Sequence, residues 1–495
     1  MSDDVIITPI IGLEIHVELA TATKMFCRCA NRFGDEPNTH VCPVCLGLPG
    51  ALPVMNAAAV ELAMTVALAL DCTVPDFTKW DRKGYYYPDL PKNYQISQYD
   101  LPLGARGRLA VPVTGDDGVV TTKTVRVKRA HLEEDAGKNI HDRGAGTGVD
   151  LNRAGVPLLE IVSEPDMNGV AELLAYARAM QRLVRWLGAS EANMQMGQMR
   201  FEPNINLNIE SGGRTYKTPI VEVKNLNSFR ALERTCAFEI QRQTAEWRKD
   251  PEGFSLETLG KQNRGYDDAG EKTVFQREKE EAHDYRYFPD PDLVPVTISD
   301  DWRETVGGTI GELPLARRQR FCDAYGLAPA EADALTQDAA TGDLLDAAVA
   351  TGAEPKRCVN LLLGRGAAMA NERDCAIGAL GVTGVALGAL AQMIDAGEVN
   401  ATAGEKIFAA LADGDADSPR QIAERDGLLA VRDSGQLAAW VDAAIAANPQ
   451  AVADATGDGK KQKKAFGFLM GQVMQKSRGA AQPSEVQKLL SEKLS

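Results

Sequence analysis

The sequence predicts a mixed α+β domain followed by two helical domains, and three observations carry that expectation. Before about residue 295 the chain holds several segments in which apolar and polar residues alternate, the period of a strand with one buried face. At the proline-punctuated stretch YFPDPDLVPV (Tyr287 to Val296) the composition changes, and Ala, Leu, Asp and Glu at helical spacing take over. A second polar break, ADGDADSPRQ (Ala412 to Gln421), separates two helical regions. The expected domains are therefore residues 1–295, 296–412 and 413–495. The 495 residues suit two to four domains at roughly 100–200 residues each.

The first segment, VIITPIIGLEIHVEL, reads as a strand or a bent pair of strands. Leu13, Ile15, Val17 and Leu19 face one way, and Glu14, His16 and Glu18 the other. In FEPNINLNIE, Ile205, Leu207 and Ile209 form the apolar face, opposite Glu202, Asn204, Asn206, Asn208 and Glu210. IVEVKNLN sets Val221 and Val223 against Glu222 and Lys224. TVRVKRAHLEEDAGK runs through Val125 and Val127 to the adjacent acids Glu133 and Glu134. Strands of this kind predict a mostly antiparallel sheet. Its apolar face is expected to pack on helices such as AELLAYARAMQRLVRWLG (Ala171 to Gly188).

The polar face carries Glu, His and Asn with few lysines. One reading is a solvated surface. The other starts from repulsion: carboxylates on neighbouring strands repel unless a cation lies between them. A hard divalent ion such as Mg²⁺ suits oxygen ligands plus phosphate. On that reading Glu14, His16, Glu134 and Glu222 are ligands of a site that handles a nucleotide phosphate.

Four of the nine cysteines cluster between Met25 and Gly50, as C-x-C, twelve residues, then C-x-x-C. Cys27, Cys29, Cys42 and Cys45 have the spacing of a tetrahedral zinc site. A Cys₄ site has no open position for substrate, so its expected role is structural, stapling the loop after the first strand. The other five (Cys72, Cys236, Cys322, Cys358, Cys375) are scattered and expected to be small buried hydrophobes.

The net charge of −15 argues against general nucleic-acid binding. The tail departs from it, with eight Lys/Arg (Lys460, Lys461, Lys463, Lys464, Lys476, Arg478, Lys488, Lys493) against Glu485 and Glu492. Phosphate-backbone binding is the expectation there, a solvated helical tail the alternative. No apolar run approaches the ~18 residues of a membrane span, and the N-terminus lacks signal-peptide character. A cytoplasmic protein is expected, with thiols reduced.

Read together, IGLEIHVEL, the cysteine segment, DRKGYYYPDLPKNYQISQYD, HLEEDAGK, DLNRAGVPLLEIVSEPDM, EVKNLNSF, DYRYFPDPDL and the C-terminal FGFLMGQVMQKSRGAAQPSEVQKLL resemble the B subunits of bacterial aspartyl/glutamyl-tRNA(Asn/Gln) amidotransferases. The resemblance covers nearly the whole chain, and the fixed order of its motifs makes it specific. It implies an antiparallel-sheet cradle similar to glutamine synthetase, then a helical domain and a tRNA-binding tail domain. It also implies that ATP and Mg²⁺ phosphorylate the side-chain carboxylate of Glu-tRNA(Gln) and/or Asp-tRNA(Asn). Ammonia from a partner amidase, the A subunit, then displaces phosphate, and a small C subunit completes a heterotrimer.

Carried onto this chain, the resemblance gives magnesium ligands Glu14, His16, Glu134 and Glu222, with Glu133 and Glu202 as further candidates. The zinc ligands are Cys27, Cys29, Cys42 and Cys45. One departure stands out: many members have an acidic M-E-E-G-S-L-R-C-D run where this chain has MQMGQMRFEP, so Gln195 and Met196 replace two acids and Glu202 stands at the later Asp position.

Phosphoryl transfer needs positioning and charge neutralisation more than covalent chemistry. Lys83, Lys92, Lys138 and Arg153, each inside one of these motifs, are the cations expected to complement the metal and ATP phosphates. No Ser/His/Asp or Cys/His nucleophile signature is present, and neither is an amidase signature. Two other readings stay open: a non-catalytic zinc-containing tRNA scaffold, and a free-standing ligase of a small amino acid.

Overall fold

The computed structural model describes all residues except 1–4, 116, 142–145, 225, 279–284, 431–433, 458–459, 478–480, 482 and 495. Two compact units are present, Met1–Leu313 and Pro314–Ser495.

The first unit is built on a nine-stranded sheet. In chain order its strands are β1 (Ile6–Glu18), β2 (Gly104–Thr114), β3 (Val120–Glu134), β4 (Pro157–Ser163), β5 (Met199–Ser211), β6 (Arg214–Lys217), β7 (Ile220–Lys224), β8 (Lys261–Asp267) and β9 (Lys272–Glu278). Across the sheet the order is β9-β8-β7-β5-β1-β4-β3-β2, with β6 paired to β5. Every pairing is antiparallel except β7 with β8. The mostly antiparallel sheet expected from the alternation is thus observed.

One face is the core. Leu13, Ile15 and Val17 of β1, Leu159 and Ile161 of β4, and Phe201, Ile205 and Leu207 of β5 are buried almost completely. Three helices pack on the sheet: α1 (Ala57–Ala69), α2 (Val170–Trp186) and α3 (Phe229–Lys249). Helix α2 buries Leu173, Tyr176, Ala177, Met180, Leu183 and Val184, a stripe at i, i+3, i+4, i+7 spacing. Helix α3 begins at an N-cap where Ser228 Oγ accepts from Ala231 N, worth about 1 kcal/mol. The stretch Tyr287–Val296 stays with this unit. Val296–Thr297 pairs with Phe77–Thr78, and Arg303 of the following helix bonds Asp76.

The second unit is helical. One core runs from Phe321 to Leu428 and includes Ile422 and Ala423 of the helix Pro419–Arg425. The polar stretch Ala412–Gln421 is therefore a turn between helices that share this core. A separate cluster gathers Leu437, Val441, Leu469, Val473, Val486 and Leu490 from the last helices. Among the described residues no helix is long and apolar enough to cross a membrane.

Candidate functional site

The other face of the sheet is polar, and its register lines up one row of side chains. Arg200 of β5 pairs with His16 of β1, His16 with Glu160 of β4, and Glu160 with His131 of β3. Glu14 pairs with Glu202 in the next row, and Asn204 with Glu222.

At the centre His16, Glu133 and Glu160 each bring a ligand-capable atom within 4.8 Å of the others. His16 Nε2 lies 3.4 Å from Glu160 Oε2, and Arg129 Nη2 donates to Glu160 Oε1 at 3.3 Å. His131 Nε2 is 3.7 Å from Glu160 and 3.8 Å from Glu133. Burial pulls the His16 pKa down, but the hydrogen bond and charge of Glu160 outweigh it and carry it to about 9. Burial instead holds His131 down at about 4. Glu133 is pushed up to about 7, by burial and then by the charge of Glu160, against the pull of Lys83. Burial opposes the charge of Glu160, but His131 and then His16 hold it well below the usual carboxylate range.

The predicted carboxylates divide into three places. Glu14, Glu202 and Glu222 lie beside the triad on the same face. Asn204 Nδ2 donates to Glu14 at 3.0 Å, and Lys224 Nζ bridges Glu202 at 3.0 Å and Glu222 at 2.9 Å. Glu134 is elsewhere. Its neighbour Glu133 pairs with Leu158, whereas Glu134 pairs with Pro157 and projects to the opposite face. There it meets Lys92 and accepts from Ile96 N at 2.8 Å, with both members of the ion pair buried.

The cause is a β-bulge. Register slips between Val127 and Arg129, so Lys128 is the extra residue. Val125 and Val127 face the core before it; Ala130, Leu132 and Glu134 do so after it. Unbroken alternation from Val125 groups Glu134 with the polar face; the bulge inverts that parity and delivers Arg129, His131 and Glu133 instead. Sequence reasoning missed Glu160, His131 and Arg129. The available signal was a lone acid inside the apolar run PLLEIVS, where an unpartnered charge is costly.

The four predicted cations separate as well. Lys83 is electrostatically coupled to Glu133 and Glu160, and its Nζ lies 5.1 Å from the Tyr285 ring centroid. Lys92 is committed to Glu134 on the other face. Lys138 and Arg153 line a cleft of about 1170 Å³ together with Glu18, Gln195, Met196, Arg200, Glu202 and Lys224. This cleft adjoins the polar face. Arg153 also donates to the carbonyls of Ala136 and Gly137 at 2.9 and 3.0 Å. Gln195 and Met196 form part of the cleft wall.

The cysteines meet as their spacing predicts. The sulfurs of Cys27, Cys29, Cys42 and Cys45 all lie within 4.8 Å of one another. Cys42 and Cys45 sulfurs are 3.8 Å apart, the edge expected of a tetrahedron with Zn–S bonds of roughly 2.3 Å. A hydrogen bond from Cys27 and the charge of Lys24 pull the Cys45 thiol down to about 5. His40 is instead bound to Asp35 at 2.6 Å. The loop grips the segment that carries Arg153: His40 N donates to Asn152 Oδ1 at 2.8 Å, Asn152 Nδ2 to Glu36 O at 2.7 Å, and Met25 N to Gly155 O at 2.8 Å. Gly47 approaches Lys92 so closely that a Cβ would lie 2.6 Å from Lys92 Cγ, at a φ of +67°. Of the scattered cysteines, Cys72, Cys236 and Cys358 are buried; Cys322 is half-buried and Cys375 exposed, contrary to expectation, because Cys375 falls in the turn after a helix.

In the tail, Lys463, Lys464, Lys476 and Lys488 are exposed, and Lys493 pairs with Asp442. Arg478 and the side chains of Lys460 and Lys461 lie outside the described residues.

A mostly antiparallel sheet with a carboxylate–histidine cluster beside a cleft of mixed charge, a Cys₄ cluster and a helical C-terminal unit defines a class: α+β proteins with two groups of side chains able to hold a metal ion. The family model for the GatB/GatE catalytic domain matches residues 9–304, and that for the GatB domain matches residues 343–494. Relatives named as the B subunit of aspartyl/glutamyl-tRNA(Asn/Gln) amidotransferase align along almost the full length. One from Rhodopirellula baltica is 44% identical over 98% of this chain and 96% of its own. One from Moorella thermoacetica is 44% identical over 98% and 99%, and one from Thermoanaerobacter pseudethanolicus 41% over 98% and 99%. The chain belongs to the family of aspartyl/glutamyl-tRNA(Asn/Gln) amidotransferase B subunits.

Proposed function

We propose that this chain is the part of a tRNA-dependent amidotransferase that activates the side-chain carboxylate of Glu-tRNA(Gln) and/or Asp-tRNA(Asn) with ATP, then amidates it with ammonia. The observation that carries the reading is the His16–Glu133–Glu160 triad beside a cleft to which Lys138, Arg153, Arg200 and Lys224 contribute cations among its acids. A free carboxylate is a poor acyl donor, and phosphorylation gives it a leaving group. Oxygen donors plus one imidazole suit Mg²⁺. A bound Mg²⁺ supplies neutralisation of phosphate charge. The polar face of a mostly antiparallel sheet also supports a cradle of the glutamine synthetase kind.

The chain's own residues supply the rest. Arg129 and His131 hold Glu160 in position, and His16 in its neutral form would serve as a ligand. Lys83 faces the triad, while Lys138, Arg153 and Arg200 offer the cleft's cations to an anionic substrate. Glu14, Glu202 and Glu222 extend the polar face beside the triad. Cys27, Cys29, Cys42 and Cys45 would hold Zn²⁺, which would brace the loop that bonds the Arg153 segment. Lys92 and Glu134 form a buried structural pair on the far side of the sheet. The relatives carry the name of a B subunit, which supports an assembly in which an amidase, the A subunit, supplies ammonia and a small C subunit completes the heterotrimer, in the cytoplasm. The exposed lysines of the tail support tRNA phosphate contact.

The test uses the assembled complex with Mg-ATP, ammonium chloride and Glu-tRNA(Gln) or Asp-tRNA(Asn). ADP and amidated tRNA should appear only with tRNA, and should vanish in Glu160→Gln. Retained tRNA binding without ADP release in the wild type would replace this reading with that of a tRNA scaffold.

A further inference from the structure

Just ahead of the cysteine loop the chain buries a positive charge among neutral partners. Lys24 is 0% exposed, and its Nζ donates to two carbonyls, His40 O at 2.8 Å and Leu151 O at 3.2 Å. Among the described residues no carboxylate pairs with it. A buried ammonium held by neutral groups alone is costly. The other buried lysine of this region, Lys92, has Glu134 as its partner. We propose that Lys24 is the internal counter-cation of the Cys₄ centre: its charge balances the thiolates that a bound zinc requires, and its two hydrogen bonds join that centre to the Leu151–Arg153 segment of the cleft wall. This role depends on the zinc reading above and adds to it a residue, outside the ligand set, that sets how tightly the metal is held.

Proximity comes first. Lys24 and Cys45 meet over Gly155, where an added Cβ would lie 3.6 Å from Lys24 Cδ and 3.7 Å from Cys45 Cβ. Glu134 Oε2 is 3.7 Å from the same point, but Glu134 Oε1 is committed to Lys92 Nζ and Ile96 N. Glycine at φ +86° lets the three side chains close together there. The backbone ties Lys24 to the loop as well, since Lys24 N donates to Cys29 O at 3.0 Å. Charge balance comes second. Lys24, Lys92 and Glu134 together leave one positive charge without an opposite. Four thiolates around a divalent ion leave two negative charges. Ligation requires the thiolate form, so zinc brings negative charge to a place where Lys24 already holds an unbalanced positive one. Zinc and the Lys24 ammonium therefore stabilise each other.

The experiment reads metal affinity rather than turnover. The assembled complex, stripped of metal, is titrated with Co²⁺, whose thiolate charge-transfer absorption reports the cysteine site alone. Zn²⁺ affinity follows from displacement of the Co²⁺. Hydrogen bonds that Lys24 makes in both the loaded and the empty protein cancel from this affinity, which isolates the charge. Lys24→Met should keep the shape of the absorption band but bind zinc at least ~10-fold more weakly, and Lys24→Arg should stay within ~3-fold of the wild type. A Lys24→Met that binds zinc as tightly as the wild type overturns the assignment. So does a Lys24→Arg weakened as much as Lys24→Met, since shape rather than charge would then matter. If Lys24→Met does not fold, Lys24→Gln, which keeps a donor and drops the charge, takes its place with the same expectations. If neither folds, amine acetylation of the wild type decides: Lys24 should react at least ~10-fold faster after zinc removal, with Lys463 and Lys464 as unchanged references, and equal rates overturn the assignment. Failure of the zinc reading looks different: no charge-transfer band in the wild type.

Discussion

Replacing Glu160 with Gln tests the electrostatics of the site without disturbing its shape. In the wild type, burial alone would depress His16, and the Glu160 carboxylate reverses that to give a pKa of about 9. The amide keeps the volume and removes the charge. His16 should then fall to or below the ordinary 6.5, a drop of at least ~2 pH units, equivalent to about 3 kcal/mol of interaction. The linkage has a definite sign. A histidine whose folded pKa is raised stabilises the fold fully below the unfolded pKa of 6.5, and that contribution disappears as pH rises through 9. Metal-free wild type should therefore lose on the order of 3 kcal/mol between pH 6.5 and 9 from this group, a slope that Glu160→Gln removes. Imidazole NMR of histidine-labelled protein gives the pKa, and urea unfolding at several pH values gives the slope. A His16 that still titrates near 9 in Glu160→Gln would refute the reasoning, since the hydrogen bond and charge of Glu160 raise it more than the charge of Glu202 does.

Three further outcomes follow from the same structure. Lys92→Met should leave the buried Glu134 charge without its ion-pair partner and cost roughly 3–5 kcal/mol in urea unfolding; a loss under about 1 kcal/mol would show that the pair is not isolated from water. Removing zinc with a chelator, or Cys45→Ser, should expose the Asn152–Gly155 backbone to hydrogen exchange, because the knuckle supplies its partners; unchanged protection would mean that the loop holds without metal. Lys463→Glu with Lys464→Glu should weaken tRNA binding and lower its salt dependence by about one unit of slope per lost phosphate contact; an unaltered slope would place the tRNA elsewhere.

Much of this site was legible in the residue order. Strict alternation in β1 and β5 identified their polar and apolar faces, because side chains along a strand must alternate. With the same alternation in β7, that was enough to place Glu14, His16, Glu202 and Glu222 on the polar face. The cysteine spacing was equally direct: four thiols in two short hairpins have few ways to be close other than around a common centre. The order of the motifs along the chain also marked the family, which the full-length relatives bear out.

Tertiary structure decided what strand parity alone could not. A single extra residue at Lys128 exchanges Glu134 for Glu133 at the site, and a bulge is a property of two strands in register rather than of one strand's sequence. Glu160 sits in an apolar run that reads as core, and only pairing with both His16 and His131 gives its charge a purpose. Lys224 and Glu222 are neighbours on one strand, but Glu202 reaches their ion pair from twenty residues upstream. The sequence determined which side chains face together along each unbulged strand, since that follows from backbone geometry. Which strands lie side by side, and so which charges neutralise one another, was settled by the register of the folded sheet.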